Sequence, residues 1–285
     1  MNSRKKQSNT DQNVFVLGVG CQKGGSSWLN SYLRRHSCSK LGMAKEYHVF
    51  DEIYKQYETY NYLGVDESTK PRLSRFREKC FTNPDEYFEY FLGLLQRSGK
   101  KLTADITPSY AMLPIEAFAH IKDGFAKKGI AVKVIYIMRD PFERIYSHCK
   151  KVIRNNNPDN IGDSSIEAQI LLNQHSNRKF QAHTRYDLTI KNLEEVFDKE
   201  NIYYGFYETL FCDKSIKKIT KFLGIPFEKG AYNVFKNKGQ PSAIVSTTKY
   251  AKMIAEYYTD TYLFLYDKFG KRLIRRIWKS AKYID

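Results

Sequence analysis

The amino-acid sequence predicts an α/β protein: a three-layer fold with a central, mainly parallel β-sheet flanked by helices. Two apolar runs rich in β-branched residues, Val14-Phe15-Val16-Leu17 and Val132-Lys133-Val134-Ile135-Tyr136-Ile137-Met138, read as buried strands. Each runs through turn-forming residues straight into a segment of helical periodicity. Strands that alternate with helices in this way favour parallel pairing, because the helix returns the chain across the sheet. A chain of 285 residues, 42% hydrophobic, suffices for one large core. The sequence is therefore read as a flexible tail over residues 1–13 and a single domain over 14–285.

The first strand ends in Gly18-Val19-Gly20-Cys21-Gln22-Lys23-Gly24-Gly25-Ser26-Ser27-Trp28-Leu29. Four glycines in eight positions force a tight turn, and the two serines stand where a helix begins. Trp28, Leu29, Tyr32 and Leu33 recur at helical spacing, so this helix runs from Ser26 to about His36. Such a turn turns backbone N–H groups and the positive end of a helix towards an anion, and Lys23 adds a mobile cation. The pattern is a P-loop-like strand–loop–helix. It is not Gly-x-x-x-x-Gly-Lys-Ser/Thr, because Lys23 precedes the glycine pair, nor does a Gly-x-Gly-x-x-Gly fingerprint fit.

Next, Leu41 to Asp51 is a short apolar segment that breaks into titratable groups: Lys45-Glu46-Tyr47-His48-Val49-Phe50-Asp51. Residues 61–80 are polar and rich in Lys and Arg and read as an exposed loop. From Pro84, with Asn83 as N-cap, Tyr87, Phe88, Phe91, Leu94 and Leu95 form the apolar face of a helix. Lys101 to Tyr110 reads as a short strand ending in the turn Thr107-Pro108-Ser109-Tyr110, followed by a helix from Pro114 to about Lys128.

The strand ending at Met138 enters Arg139-Asp140-Pro141, where Asp140 can cap and Pro141 can open a helix. On that helix Phe142, Ile145, Tyr146, Cys149, Val152 and Ile153 form an inward stripe. Asn155 to Asp163 is a breaker cluster, read as a loop. Helices are expected near 164–174, 187–199 and 213–223, the last stopping at Gly224-Ile225-Pro226, with a strand at Ile202 to Phe206. Phe235 to Pro241 reads as a basic loop. After Ser246 a helix carries Tyr250, Met253, Ile254, Tyr257 and Tyr258 on one face, and a final helix sets Arg272, Arg275, Arg276 and Lys279 against Leu273, Ile274, Ile277 and Trp278.

A formal net charge of +16 favours anionic partners such as nucleotides or acidic sugars. Five cysteines without a Cys-x-x-Cys pair suggest neither a disulfide framework nor a zinc site and fit reduced thiols in a cytoplasm. Nothing in the polar stretch before Val14 resembles a signal peptide or a membrane span. A basic nucleic-acid binder lacks support, since no recognition-helix, RNP or zinc-finger pattern is present. A small-molecule or nucleotide kinase would use the same strand–loop–helix, but the displaced Lys23 and the want of a Mg²⁺-binding Asp after a strand oppose it.

Arg139 stands at the carboxyl end of a predicted parallel strand, the edge where open α/β sheets bind ligands, and Ser147 lies two turns into the next helix. Taken together, the loop around Lys23 and the Arg139/Ser147 pair closely resemble the two signatures of sulfotransferases that use PAPS (3′-phosphoadenosine 5′-phosphosulfate). The resemblance implies that Lys23, Gly24, Gly25, Ser26, Ser27 and Trp28 bind the cofactor at its phosphosulfate end and that Arg139 and Ser147 hold its 3′-phosphate. Lys238 and Gly239 look like the family's late cofactor loop. The likeness extends from about residue 14 to 245 and implies the sulfotransferase fold, with adenosine 3′,5′-bisphosphate as product and no metal.

Lys45-Glu46-Tyr47-His48-Val49-Phe50 resembles the Lys-Glu-x-His-x-Phe block of the carbohydrate and glycosaminoglycan branch. That likeness makes Glu46 the base for the acceptor hydroxyl, Lys23 the charge stabiliser, and His48 a second acid/base or an orienting partner. Lys45, His48, Thr107, Pro108, Ser109 and Tyr110 are the implied acceptor contacts. The acceptor would be a carbohydrate or a small hydroxylated metabolite. Ile106 departs from the Lys common before the Ser/Thr-Pro pair in the glycosaminoglycan enzymes, and Gln240 replaces an Arg often seen in the late loop.

Overall fold

The computed structural model describes residues 12–54, 71–156, 164–233 and 247–285. Among the described residues four parallel strands form one sheet in the order β2-β1-β3-β4: β1 (Val14–Gly20), β2 (Leu102–Asp105), β3 (Ala131–Met138) and β4 (Ile202–Phe206). The order places β1 and β3 in the centre, with the chain order reversing between them. Their carboxyl ends therefore open on a common crevice.

Side-chain alternation along the central strands separates two cores, one on each face. Phe15, Leu17 and Val19 of β1, with Val132, Val134, Tyr136 and Met138 of β3, point into the larger. Val14 and Val16, with Ile135 and Ile137, point into the smaller. The smaller face is covered by α1 (Ser26–Arg35), through Trp28, Leu29 and Leu33, and by the late helix 213–223.

On the larger face, α2 (Phe50–Ile53) and α3 (Pro71–Thr82) precede α4 (Asp85–Ser98), whose Tyr87, Phe88, Phe91 and Leu95 are buried. Phe125 of α5 (Ile115–Lys127) stacks on Phe15 at 3.9 Å between ring centroids. Asn83 accepts a hydrogen bond from the Asp85 N–H through its side chain (3.2 Å), as the sequence leads one to expect of a helix start.

Part of the stretch read as an exposed loop, 61–80, is helical: α3 buries Leu73 and Cys80 and half-buries Phe76. Those apolar residues recur at i, i+3 and i+7, a helical period hidden among five cationic residues. Residues 61–70 lie outside the described residues.

α6 (Pro141–Asn156) begins as read: the Phe142 N–H donates to Asp140 Oδ1 at 3.0 Å. α7 (Ser164–Gln174) and α9 (Tyr186–Val196) match expectation, and a short α8 (Arg178–Ala182) between them was not anticipated. After β4 come α10 (Tyr207–Leu210) and α11 (Asp213–Leu223), which ends on Gly224 in the left-handed region at φ 65°.

The last helices are α12 (Thr247–Tyr257), α13 (Thr259–Phe269) and α14 (Lys271–Ile277). Two expectations fail here. On α12 the inward face is Ala251, Ile254, Ala255 and the following Tyr258, while Tyr257 is exposed. The final helix stops at Ile277; Trp278 leaves the helical path and drops into the core, and a 3-10 turn, Lys279–Tyr283, follows it.

Candidate active site

The loop between β1 and α1 is pressed against the end of β3. A Cβ on Gly24 would lie 2.7 Å from the Ile137 carbonyl oxygen, so only glycine fits. Lys23 and Gly25 both adopt left-handed backbone, φ 69° and 95°. α1 starts without a side-chain cap and without an acid in its first turn, leaving its positive end to whatever lies above the loop.

Burial lowers the Lys23 ammonium's pKa to about 8, and the nearby cations Lys151, Arg154, Arg139 and Lys150 push the same way. Three of those four lie on α6, one or two turns beyond Ser147. Sequence reasoning missed Lys150, Lys151 and Arg154, although Ser147–Lys151 and Lys150–Arg154 have the i, i+4 spacing that puts them side by side.

Arg139, at the end of β3, is held on several sides. Its Nη1 donates to the Lys23 carbonyl (3.2 Å), its Nη2 meets Glu143 (3.2 Å), and its guanidinium lies 4.3 Å from the Tyr207 ring centroid. Its buried Nε has no hydrogen-bond partner among the described residues. Arg139 thus ties the second strand–helix junction to the first. Trp28 is turned away from this junction into the smaller core, between Tyr32 and Tyr232, and donates its indole N–H to Ala231 (3.0 Å). Lys238 and Gly239 lie outside the described residues.

Lys45, Glu46, His48, Asp51 and Ser109 form a chain of polar contacts. Lys45 Nζ lies 3.2 Å from Ser26 Oγ and also pairs with Glu46. The other Glu46 oxygen is 3.3 Å from His48 Nε2, and His48 Nδ1 is 2.8 Å from Asp51 Oδ2. Ser109 Oγ donates to the same Asp51 oxygen at 2.5 Å. Asp51 was not singled out from the sequence, although His48-x-x-Asp51 sets the two one turn apart.

Burial alone would raise the Glu46 carboxyl, but hydrogen bonds from His48 and Lys45, with their positive charges, outweigh it and hold the pKa at about 2. For His48, burial favours the neutral ring, yet Asp51 and Glu46 on its two nitrogens raise its pKa above the ordinary value. Glu46 remains a third exposed, while His48 and Asp51 are nearly covered. The arrangement leaves one ionised carboxylate partly open to solvent and fixes it from behind.

Thr107, Pro108, Ser109 and Tyr110 are buried, and the hydroxyls of Thr107, Ser109 and Tyr110 face the Lys45–Asp51 loop. Thr107 Oγ1 accepts from the Tyr47 N–H (3.0 Å) and donates to Asp105, and the Tyr110 hydroxyl accepts from the Val49 N–H (3.1 Å). Asp105, fully buried, has its pKa pushed by burial to about 6 despite hydrogen bonds from Thr107 and Tyr87. His48 itself has left-handed backbone, φ 54°, so the loop turns sharply where these contacts hold it.

Among the described residues no group of three or more His, Cys, Asp and Glu side chains is arranged to hold a metal ion, and no helix is long and apolar enough to cross a membrane.

The family profile described as "Sulfotransferase domain" matches residues 11–264. No curated protein matches the chain. A sulfotransferase from Alicyclobacillus acidocaldarius superposes on it with a TM-score of 0.57 at 15% identity, over 95% of this chain and 98% of that one. The sulfotransferase domain of a Synechococcus olefin synthase aligns over 83% of each chain, at 18% identity and a TM-score of 0.46.

Proposed function

The chain belongs to the sulfotransferase domain family, and from that membership we propose that it moves a sulfuryl group from PAPS to a hydroxyl of a carbohydrate or small hydroxylated metabolite. The observation that carries the reading is the reach of Lys45. One ammonium touches Ser26 at the mouth of the glycine loop and the carboxylate of Glu46, so the anion cradle and the candidate base adjoin.

In this reading the loop N–H groups, Lys23, Ser26 and Ser27 take the phosphosulfate end of PAPS, and Arg139 with Ser147 takes the 3′-phosphate. PAPS supplies the sulfuryl group and a stable leaving phosphate. Glu46 accepts the acceptor's hydroxyl proton as the new O–S bond forms and the bond from sulfur to the phosphate oxygen breaks; the bonding pair leaves with the phosphate. Lys23 and Lys45 balance the charge that develops on the bridging oxygen.

A carboxylate with a pKa near 2 is a weak base towards a free alcohol. It is sufficient here, because the hydroxyl proton becomes strongly acidic once its oxygen bonds to sulfur. His48, whose cationic form is favoured by the carboxylates of Asp51 and Glu46, then serves as the orienting partner.

The test is equilibrium binding of adenosine 3′,5′-bisphosphate to the full chain, with and without Arg139→Ala, followed by a screen of labelled PAPS against hydroxylated acceptors. Binding that weakens at least tenfold in the variant is expected. Absence of binding in the unaltered protein would overturn the reading.

A further inference from the structure

Between α3 and α4 lies a cavity of about 540 Å³ that the reaction described above does not use. Its walls carry four cations, Arg72, Arg75 and Lys79 from α3 and Arg97 from α4, against two carboxylates, Glu86 and Glu89. Glu89 is already paired with Lys128 at 2.6 Å. The remaining balance is strongly positive. On α3 the three cations recur at i, i+3 and i+7, where like charges disfavour the helix unless an anion faces them. Between them the floor is aromatic: Phe76 and Tyr90 sit 4.7 Å apart between centroids, inclined at 50°.

This groove is fastened to the loop that carries Glu46. The Tyr90 hydroxyl accepts from the Met43 N–H (2.8 Å) and meets the Tyr47 hydroxyl (3.2 Å). From α3, Arg77 donates to the Tyr47 carbonyl (2.7 Å) and to the Glu46 carbonyl (3.4 Å). A ligand seated between α3 and α4 thus bears on the backbone that positions the base.

We propose that the α3–α4 groove is an acceptor subsite for an acidic saccharide, holding a carboxylate or sulfate group remote from the reacting hydroxyl. The cations take the anionic group, and the Phe76 and Tyr90 faces take the C–H surface of a sugar ring. This inference rests on the sulfuryl-transfer reading, which it deepens by assigning the class of acceptor.

Sucrose octasulfate, a compact sulfated disaccharide, and neutral sucrose are the probes, titrated into the full chain with saturating adenosine 3′,5′-bisphosphate so that the cradle is occupied. The expected result is one-to-one binding of the sulfated probe and none of sucrose. Binding should weaken at least tenfold in Arg75→Glu/Arg97→Glu, weaken less in Arg75→Gln/Arg97→Gln, and change less than threefold in Lys214→Glu/Lys218→Glu. The last pair reverses the same number of charges on α11, which covers the other face of the sheet. No binding of the sulfated probe, or equal losses in the two Glu pairs, would overturn the subsite and leave a merely cationic surface. Binding of the bisphosphate is read in a separate titration, so failure of the sulfuryl-transfer reading is distinguished from failure of the groove.

Discussion

Lys23 is subject to opposed influences: burial and four neighbouring cations favour its neutral form, and an anion in the cradle would favour its cation. With its pKa lowered to about 8, much of the free protein's Lys23 is neutral at pH 8.5. A bound phosphate must therefore draw in a proton. Calorimetry of adenosine 3′,5′-bisphosphate binding at pH 8.5, in buffers of different ionisation enthalpy, should show uptake of about three-quarters of a proton, lost in Lys23→Met; a buffer-independent heat would contradict this account of the loop. Glu46 shows the converse case. Hydrogen bonds from His48 and Lys45 keep it ionised to about pH 2, so no acid limb near the ordinary Glu pKa should arise from it. Glu46→Gln should lower kcat at saturating acceptor by about 10²–10⁴-fold, the usual worth of a general base. Near-normal turnover would remove Glu46 from the mechanism.

At the scale of elements, the loop from Lys45 to Asp51 is short and lacks strand pairing, and the turn after β2 holds it in place. The Tyr110 hydroxyl accepts hydrogen bonds from the N–H groups of Val49 and Phe50, at the start of α2. Tyr110→Phe strands both donors in a buried site and should cost about 1–3 kcal/mol of stability. If the turn positions the loop, kcat falls in this variant while bisphosphate binding is unchanged; losses in both would mean that the damage has spread to the cradle. This dependence also marks the limit of what the sequence revealed. β1, β3 and their glycine and Arg-Asp-Pro exits were legible because local chemistry, apolar β-branched runs followed by residues that favour turns and caps, dictates them. α3 was not, because its helical period is carried by Leu73, Phe76 and Cys80 alone, amid charges that suit a loop equally well. Asp51 and the cations of α6 were missed for a different reason. Their neighbours Ser109 and Lys23 are brought to them only by the packing of the sheet.

For the whole molecule, the final residues close the fold onto the crevice. Trp278, fully buried, donates its indole N–H to Glu208 (3.0 Å), whose other oxygen accepts the Asp140 N–H (2.9 Å). The Ser280 N–H donates to Asp140 Oδ2 at 2.9 Å. The family profile ends at residue 264, so this clasp lies beyond the matched region and yet grips the residue next to Arg139. Asp140 is almost wholly buried, and burial raises its carboxyl pKa even with hydrogen bonds from Ser280 and Phe142. Without the clasp the hydrogen bonds from Ser280 would be lost from a carboxylate that needs them. Trp278→Ala should therefore lower stability in chemical denaturation by about 3–5 kcal/mol, the usual cost of removing a buried Trp or Phe from a core. It should also weaken adenosine 3′,5′-bisphosphate binding, because Asp140 begins the helix that carries Ser147 and directly follows Arg139. Trp278→Phe, which keeps most of the packing and loses only the N–H to Glu208, separates the two effects: bisphosphate affinity recovered in Phe traces the link to packing, and affinity still lost traces it to the Glu208–Asp140 hydrogen bonds. Wild-type affinity in both variants would show that the carboxyl-terminal clasp and the phosphate crevice are energetically independent.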